Sequence, residues 1–205
     1  MNSLILVGGG GHCRSCIDVI EAEDRYTIRG VVQPVDGDSS MVIGYPIIGS
    51  DTDLPDLIDK YSHALITVGQ IKTPATRIRL YRLLKSLNAC LIKVVSPKAY
   101  ISAHASLEEG CIVMHGAVIN AGATIAENCI INTQALVEHD TIIEAHCHVS
   151  TGALINGGVV IREGCFLGSG SVLREGIEIG PGAVIGAGQI VLNDVPEGTV
   201  LRSVL

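Results

Sequence analysis

From Ile101 to Val191 an aliphatic residue stands at every sixth position without a break. Four residues after each there is usually a small residue, as at Ala105, Cys111, Ala117, Ala123, Cys129 and Ala135. Three residues after, glycine is frequent, as at Gly110, Gly116, Gly122, Gly152, Gly158 and Gly164. A six-residue period suits neither an amphipathic helix nor an ordinary alternating strand. It suits a coil in which each hexad is one short strand and one corner. The aliphatic and the small residue fill the interior, and glycine relieves a corner that requires a positive φ. Three hexads close a triangular coil, so residues 18 apart stack; this is the parallel β-helix solenoid of hexapeptide repeats. Cys111, Cys129, Cys147 and Cys165 keep that spacing. They are expected to form one packing column facing a dry interior rather than a metal site.

Upstream of residue 97 the pattern changes. A short apolar strand is expected over 4–7, then the glycine run Gly8 to Gly11, then a helix over 13–22. Strands are expected over 29–32, 65–68 and 91–95, with an amphipathic helix over 76–87 and Pro97 as the boundary. Strand–helix alternation implies a parallel sheet of Rossmann-like type. The fold class is therefore α/β plus all-β: a small Rossmann-like domain over 1–97 and a β-helix over 98–205.

Composition narrows the function. A formal net charge of −7 with no basic run argues against nucleic acid as a partner. The opening segment MNSLILVGGGGH has no basic n-region and too short an apolar run for a membrane span. The expectation is a cytoplasmic protein with reduced thiols among its seven cysteines. Cys13 and Cys16 form a C-x-x-C, but both fall in a helix behind a turn, so they read as small buried residues rather than a redox pair.

The glycine run follows a strand and opens a helix, where backbone N–H groups can approach phosphate. It does not match G-x-G-x-x-G, because the third position is Cys13, and it lacks the G-K-S/T of a P-loop. What remains is a phosphate-binding turn.

The hexads, with Asn132-Thr133 and Val137-Glu138-His139-Asp140, resemble the left-handed β-helix acyltransferases. Gly8-Gly9-Gly10-Gly11-His12 and Gly44-Tyr45-Pro46-Ile47-Ile48-Gly49-Ser50 resemble one branch of them, the sialic-acid O-acetyltransferase / nucleotide-amino-sugar N-acetyltransferase family. The left hand of the helix comes from this resemblance. So do acetyl-CoA as the acetyl donor, a nucleotide-linked amino sugar as the acceptor, and a homotrimer with its cleft between neighbouring β-helices.

Acetyl transfer from a thioester needs a base for the acceptor's proton, a donor for the developing oxyanion, and positioning. Histidine suits the first task, with an ordinary pKa of about 6.5. His139 lies near a corner, where side chains project outward, between the acids Glu138 and Asp140. By the resemblance His139 is the base, oriented by Asp140 or Glu138. His148, Gly157 and Asn132 would meet acetyl-CoA, with the Gly157 N–H on the thioester carbonyl. Gly10, Gly11, His12, Asp36 and Gly69 would hold the nucleotide sugar, with Arg77 in a later family segment.

The chain departs from the family pattern at Gln33-Pro34-Val35-Asp36, which has fewer acids, at Gln70-Ile71, and in the tail after Gly198. His104, His115 and His146 read as surface residues, and no metal is expected, because the paired H-x-x-x-x-H pattern is missing. The motifs do not separate N- from O-acetylation. A non-catalytic nucleotide-sugar-binding protein of the same fold is the third reading.

Overall fold

A computed structural model describes residues 2–34 and 40–202. Its contacts divide the chain into two compact units, Met1–Gly69 with Ala75–Val94, and Gln70–Pro74 with Val95–Leu205.

In the first unit β1 (Asn2–Val7) leads into α1 (Gly11–Glu23), then β2 (Tyr26–Val32), β3 (Met41–Val42) and β4 (Tyr45–Gly49). α2 (Leu54–Tyr61), β5 (His63–Ile66), α3 (Ala75–Ser86) and β6 (Cys90–Leu91) follow. The sheet order is β3-β4-β2-β1-β5-β6, parallel except for the β3–β4 pair. Connections run to opposite sides of β1, which makes the carboxyl ends of β1 and β5 the topological switch point, where open α/β sheets bind ligands. Leu4 to Val7, Leu65 and Ile66 are buried, as a sheet covered by helices requires.

The sequence reading missed α2 and the β3–β4 hairpin. α2 is short and starts with Leu54-Pro55, a proline tolerated in a first helical turn. The expected strand over 91–95 is two separate pairs, Cys90–Leu91 and Val94–Val95. α3 buries Leu80 and Leu84 as its spacing suggested, but also Arg77, which lies on the same face.

The second unit is a three-sided coil. Two-residue strands stack in parallel with partners 18 residues apart: Val118 on Leu136 on Leu154, Thr124 on Ile142 on Val160, and Ile130 on His148 on Phe166. The aliphatic column residues, such as Val113, Ile131, Val137, Val149 and Ile155, are fully buried, each contributing about 1.5–3 kcal/mol of apolar burial.

The small-residue column has a second task. Each cysteine thiol donates to a corner carbonyl fifteen residues on: Cys111 to Ala126 (3.0 Å), Cys129 to Glu144 (3.2 Å), Cys147 to Arg162 (3.1 Å) and Cys165 to Gly180 (3.1 Å). Thr141 does the same to Asn156 through its hydroxyl (3.3 Å). The thiols thus fill the interior and bond carbonyls at its corners. Burial pushes the Cys129 and Cys147 thiols well up, so they stay protonated and inert. Cys13 and Cys16 are likewise buried in α1, with both thiols pushed up by burial.

Corners adopt the left-handed conformation, mostly at glycine. Four consecutive corners do not use it: Asn128, Gln134, Asp140 and His146 have φ between 55° and 62°. A non-glycine residue in that region costs about 1–2 kcal/mol, less for Asn and Asp, whose short polar side chains bond locally. His139 lies in the middle of this run.

Candidate active site

His139 is exposed on the corner that follows the strand Leu136–Val137. Its Nδ1 donates to Asp140 Oδ2 at 2.9 Å, which leaves Nε2 as the free lone pair. Glu138 points elsewhere: its Oε2 accepts from Asn120 Nδ2 at 2.9 Å and from the His139 main-chain N–H at 3.3 Å. Asp140 is therefore the acid on the ring. Its hydrogen bond raises the His139 pKa above the ordinary imidazole value against the opposing effect of desolvation, with the charges of Asp140 and Glu138 adding to the rise.

Gly157 stacks one coil beyond His139. A Cβ there would stand 2.7 Å from both Cε1 and Nε2 of the ring, so only glycine leaves the imidazole this position. The Gly157 carbonyl accepts from Gly176 N–H at 3.0 Å, while its own N–H makes no bond among the described residues. That N–H and His139 Nε2 thus lie on the same corner column.

His148 and Asn132 form a separate group on the outer side of their sheet, where His148 alternates with the core residue Val149 and is covered by Gln70. The Nδ1 of His148 lies 2.8 Å from the main-chain carbonyl of Gln70, which can only accept, so Nδ1 carries the proton. Nε2 then accepts from Asn132 Nδ2 at 3.2 Å, because Asn132 Oδ1 is taken by the Thr133 N–H at 2.8 Å. His148 is buried and packs edge-on against Phe166, with centroids 5.2 Å apart. Gln70 is anchored in turn: its Nε2 donates to Gly164 O at 3.0 Å and Cys165 O at 3.2 Å. The departure from the family pattern at Gln70 is therefore a fixture of the second unit.

In the first unit the glycine run lies at the switch point. Gly8 has φ 118°, and a Cβ there would come 2.9 Å from Val68 N. A Cβ on Gly10 or Gly11 would meet nothing within 4 Å, and Gly10 caps α1 without a side-chain bond. The first turn carries no acid, so the helix end presents backbone N–H groups and a partial positive charge. Gly69 faces His12, with 3.4 Å from a built Cβ to His12 Cβ. Buried Arg77 fixes this end of β5 by donating to Val68 O at 2.7 Å. Asp36 lies outside the described residues.

One expectation is corrected. His146 is buried, not a surface residue: its Nδ1 lies 2.9 Å from Nδ2 of buried Asn128, the corner residue one coil before it. His115 is half-buried, with Nδ1 2.6 Å from Ser96 Oγ; His104 is exposed. Among the described residues no group of three or more His, Cys, Asp or Glu could hold a metal ion, and no helix is long and apolar enough to cross a membrane.

Sequence reasoning missed Asn120 and Gln70. The stacking rule would have found Asn120, which stands 18 residues before Glu138. Gln70 showed in the sequence only as a departure from the family pattern, and its role was not legible because its partners include main-chain groups.

Residues 3–84 match the model of the PglD N-terminal domain, and residues 158–188 the bacterial transferase hexapeptide of six repeats. PerB from Caulobacter crescentus, solved with CoA and GDP-perosamine, is similar at 32% identity and TM-score 0.90, covering 98% of this chain and 93% of that one. A variant of perosamine N-acetyltransferase from the same organism, with one histidine replaced by asparagine, was also solved with CoA and GDP-perosamine; it matches at 31% identity and TM-score 0.91 over the same 98% and 93%. The acetyltransferase domain of PglB from Neisseria gonorrhoeae, in complex with acetyl coenzyme A, matches at 29% identity and TM-score 0.89, covering 98% of this chain and 96% of that one. A search of curated proteins gives no match.

Proposed function

The chain belongs to the family of left-handed β-helix, hexapeptide-repeat acetyltransferases that act on nucleotide-linked amino sugars, and from that premise we propose how its residues divide the work. It is an acetyl-CoA-dependent sugar N-acetyltransferase. Its acceptor is the amine of a nucleotide-linked amino-dideoxy sugar for bacterial surface-glycan synthesis, in the cytoplasm.

His139 is the general base. The observation that carries this is the ring itself: Nδ1 is tied to Asp140 at 2.9 Å, and Nε2 stands free on an exposed corner beside Gly157. The amine nitrogen attacks the thioester carbonyl carbon and the C–S bond breaks. His139 Nε2 takes the proton that the nitrogen loses and returns it to the departing sulfur. Asp140 keeps the tautomer and steadies the imidazolium. The Gly157 N–H is available to the carbonyl oxygen as negative charge develops there. Asn132, held by His148, lines the acetyl-CoA side through its remaining N–H.

Residues 1–97 take the nucleotide. The open end of α1 at Gly10 and Gly11, with His12 and Gly69, receives the phosphates; Asp36 belongs to the same group by family resemblance. Residues 98–205 carry the transfer.

The working form is a homotrimer. Its support is the outer face of one sheet, where Tyr100, Val118, Leu136, Leu154, Val172 and Ile190 make an unbroken apolar column. The strand Leu136–Val137 of that face runs directly into Glu138 and His139.

The test is thiol release from acetyl-CoA against GDP-, UDP- and dTDP-linked 4-amino-sugars and free sialic acid. Turnover on an amino sugar, reduced roughly 10²- to 10⁴-fold in His139→Ala, is expected. Near-normal turnover in that variant rejects His139 as the base, and turnover on sialic acid alone moves the reaction to O-acetylation.

A further inference from the structure

The corner column that carries Asp140 reads Gly122, Asp140, Gly158, one residue per coil, with φ of 78°, 58° and 68°. Main-chain bonds hold the column in register: Gly122 N–H to His104 O at 3.1 Å, Asp140 N–H to Ala121 O at 3.1 Å, Gly158 N–H to His139 O at 2.9 Å. The backbone demand is thus the same at all three corners, and glycine answers it at two.

The two glycines are not equivalent in their surroundings. A Cβ on Gly158 would meet nothing within 4 Å. A Cβ on Gly122 would run into Asp140 Oδ1, with Asp140 Cγ at 3.4 Å. The Asp140 carboxylate is folded back over the neighbouring coil: Oδ1 occupies the room above Gly122, and Oδ2 meets His139 Nδ1 at 2.9 Å. A Cβ at Gly122 would push on the Oδ1 side of the Asp140 carboxylate, and with one methylene any rotation that moves Oδ1 also moves Oδ2 relative to the ring.

We infer that Gly122 is a positioning residue for the base: the space left by its missing side chain is what allows Asp140 to hold His139. The inference rests on the reading of His139 as the base. With Gly157, which clears room for the imidazole from the other side, it makes the two coils flanking the His139 coil a fitted seat for the pair. Glu138 also acts on the ring by its charge, and its carboxylate is held away by Asn120.

The experiment is an NMR titration of the His139 ring in the intact protein, with no ligand. Gly122→Ala and Gly158→Ala are compared with wild type and with Asp140→Ala, alone and combined with Gly122→Ala. Gly122→Asn, which tolerates a left-handed corner but still carries a Cβ, is the second variant should the alanine fail to fold. Gly122→Ala or Gly122→Asn is expected to lower the His139 midpoint toward that of Asp140→Ala. It should add no further shift in the Asp140→Ala background, and Gly158→Ala should leave the midpoint at the wild-type value. A wild-type midpoint in both Gly122 variants overturns the inference, as does an equal shift in Gly158→Ala or an undiminished shift in the Asp140→Ala background. The outcome is separable from the base assignment, which fails on the retained turnover of His139→Ala.

Discussion

The Nδ1–H of His148 donates to the main-chain carbonyl of Gln70 at 2.8 Å, and Asn132 supplies the other ring nitrogen from 3.2 Å. One nitrogen gives and the other receives, so the buried ring is neutral with a fixed tautomer. His148→Phe keeps the aromatic contact with Phe166 but leaves the Gln70 carbonyl and an Asn132 N–H without their partner. Loss of about 1–3 kcal/mol of unfolding free energy is expected, read by chemical denaturation. Unchanged stability would mean these bonds are not made in solution.

Asp140 raises the His139 pKa, so the base form is lost at a higher pH than for an ordinary imidazole. The acid limb of kcat/KM in the wild type falls as pH drops through that raised value. In Asp140→Asn the pKa returns downward, so the limb attributable to His139 moves to lower pH. The plateau should fall by about 10- to 100-fold, because the tautomer is no longer held. Comparing both proteins on one amino sugar cancels the ammonium titration of the substrate. A limb that moves to higher pH would contradict the assignment.

Asp140 occupies a left-handed corner that glycine fills at Gly122 and Gly158. Asp140→Gly should therefore raise stability by about 1 kcal/mol while lowering the rate, a trade that thermal melts and turnover measure together. A variant that loses both stability and rate would show that the carboxylate holds the corner as well as the ring.

The β-helix was legible because its rule is one-dimensional. An aliphatic every sixth residue fixes strand, corner and stacking at once, and the column of Cys111, Cys129, Cys147 and Cys165 follows from it. His139 was legible for the same reason, since its hexad position puts it at an outward corner. The acid that meets it was not. Glu138 and Asp140 flank it symmetrically in sequence, and the choice is made by Asn120 and Gly122 in the preceding coil, one holding Glu138 and the other making room for Asp140. The burial of His146 was hidden because it depends on a partner, Asn128, a full coil away. In the first unit β3 has too few residues to show a period, whereas α2 carries the helical spacing Leu54, Leu57, Ile58 and Tyr61 and was legible but overlooked beside Pro55.

The thiols divide by burial. Cys90 is exposed, while Cys13, Cys16, Cys111, Cys129, Cys147 and Cys165 are buried. A disulfide-exchange reagent on the native protein should titrate one thiol per chain quickly, absent in Cys90→Ser, with the others released only on unfolding. Fast reaction of a second thiol would mean that a coil or α1 opens in the native state.

The apolar column of Tyr100, Val118, Leu136, Leu154, Val172 and Ile190 faces outward from its sheet, with Leu154 38% and Ile190 70% exposed. On a chain standing alone, such a row is a cost in water and an invitation to self-association. Leu154 is near its middle, one coil from Leu136 and so close to the His139 corner. Its neighbour Ile155 points into the fully buried interior, so a change at Leu154 leaves the coil's own core intact. Leu154→Asp should therefore fold with the wild-type far-UV spectrum yet elute as a monomer in light-scattering chromatography, where a trimer is expected of the wild type. Because the strand Leu136–Val137 leads straight to His139, the monomer should also lose acetyl transfer with its catalytic residues unchanged. A trimeric Leu154→Asp would move the assembly face elsewhere on the coil, and an active monomer would make the corner around His139 sufficient by itself.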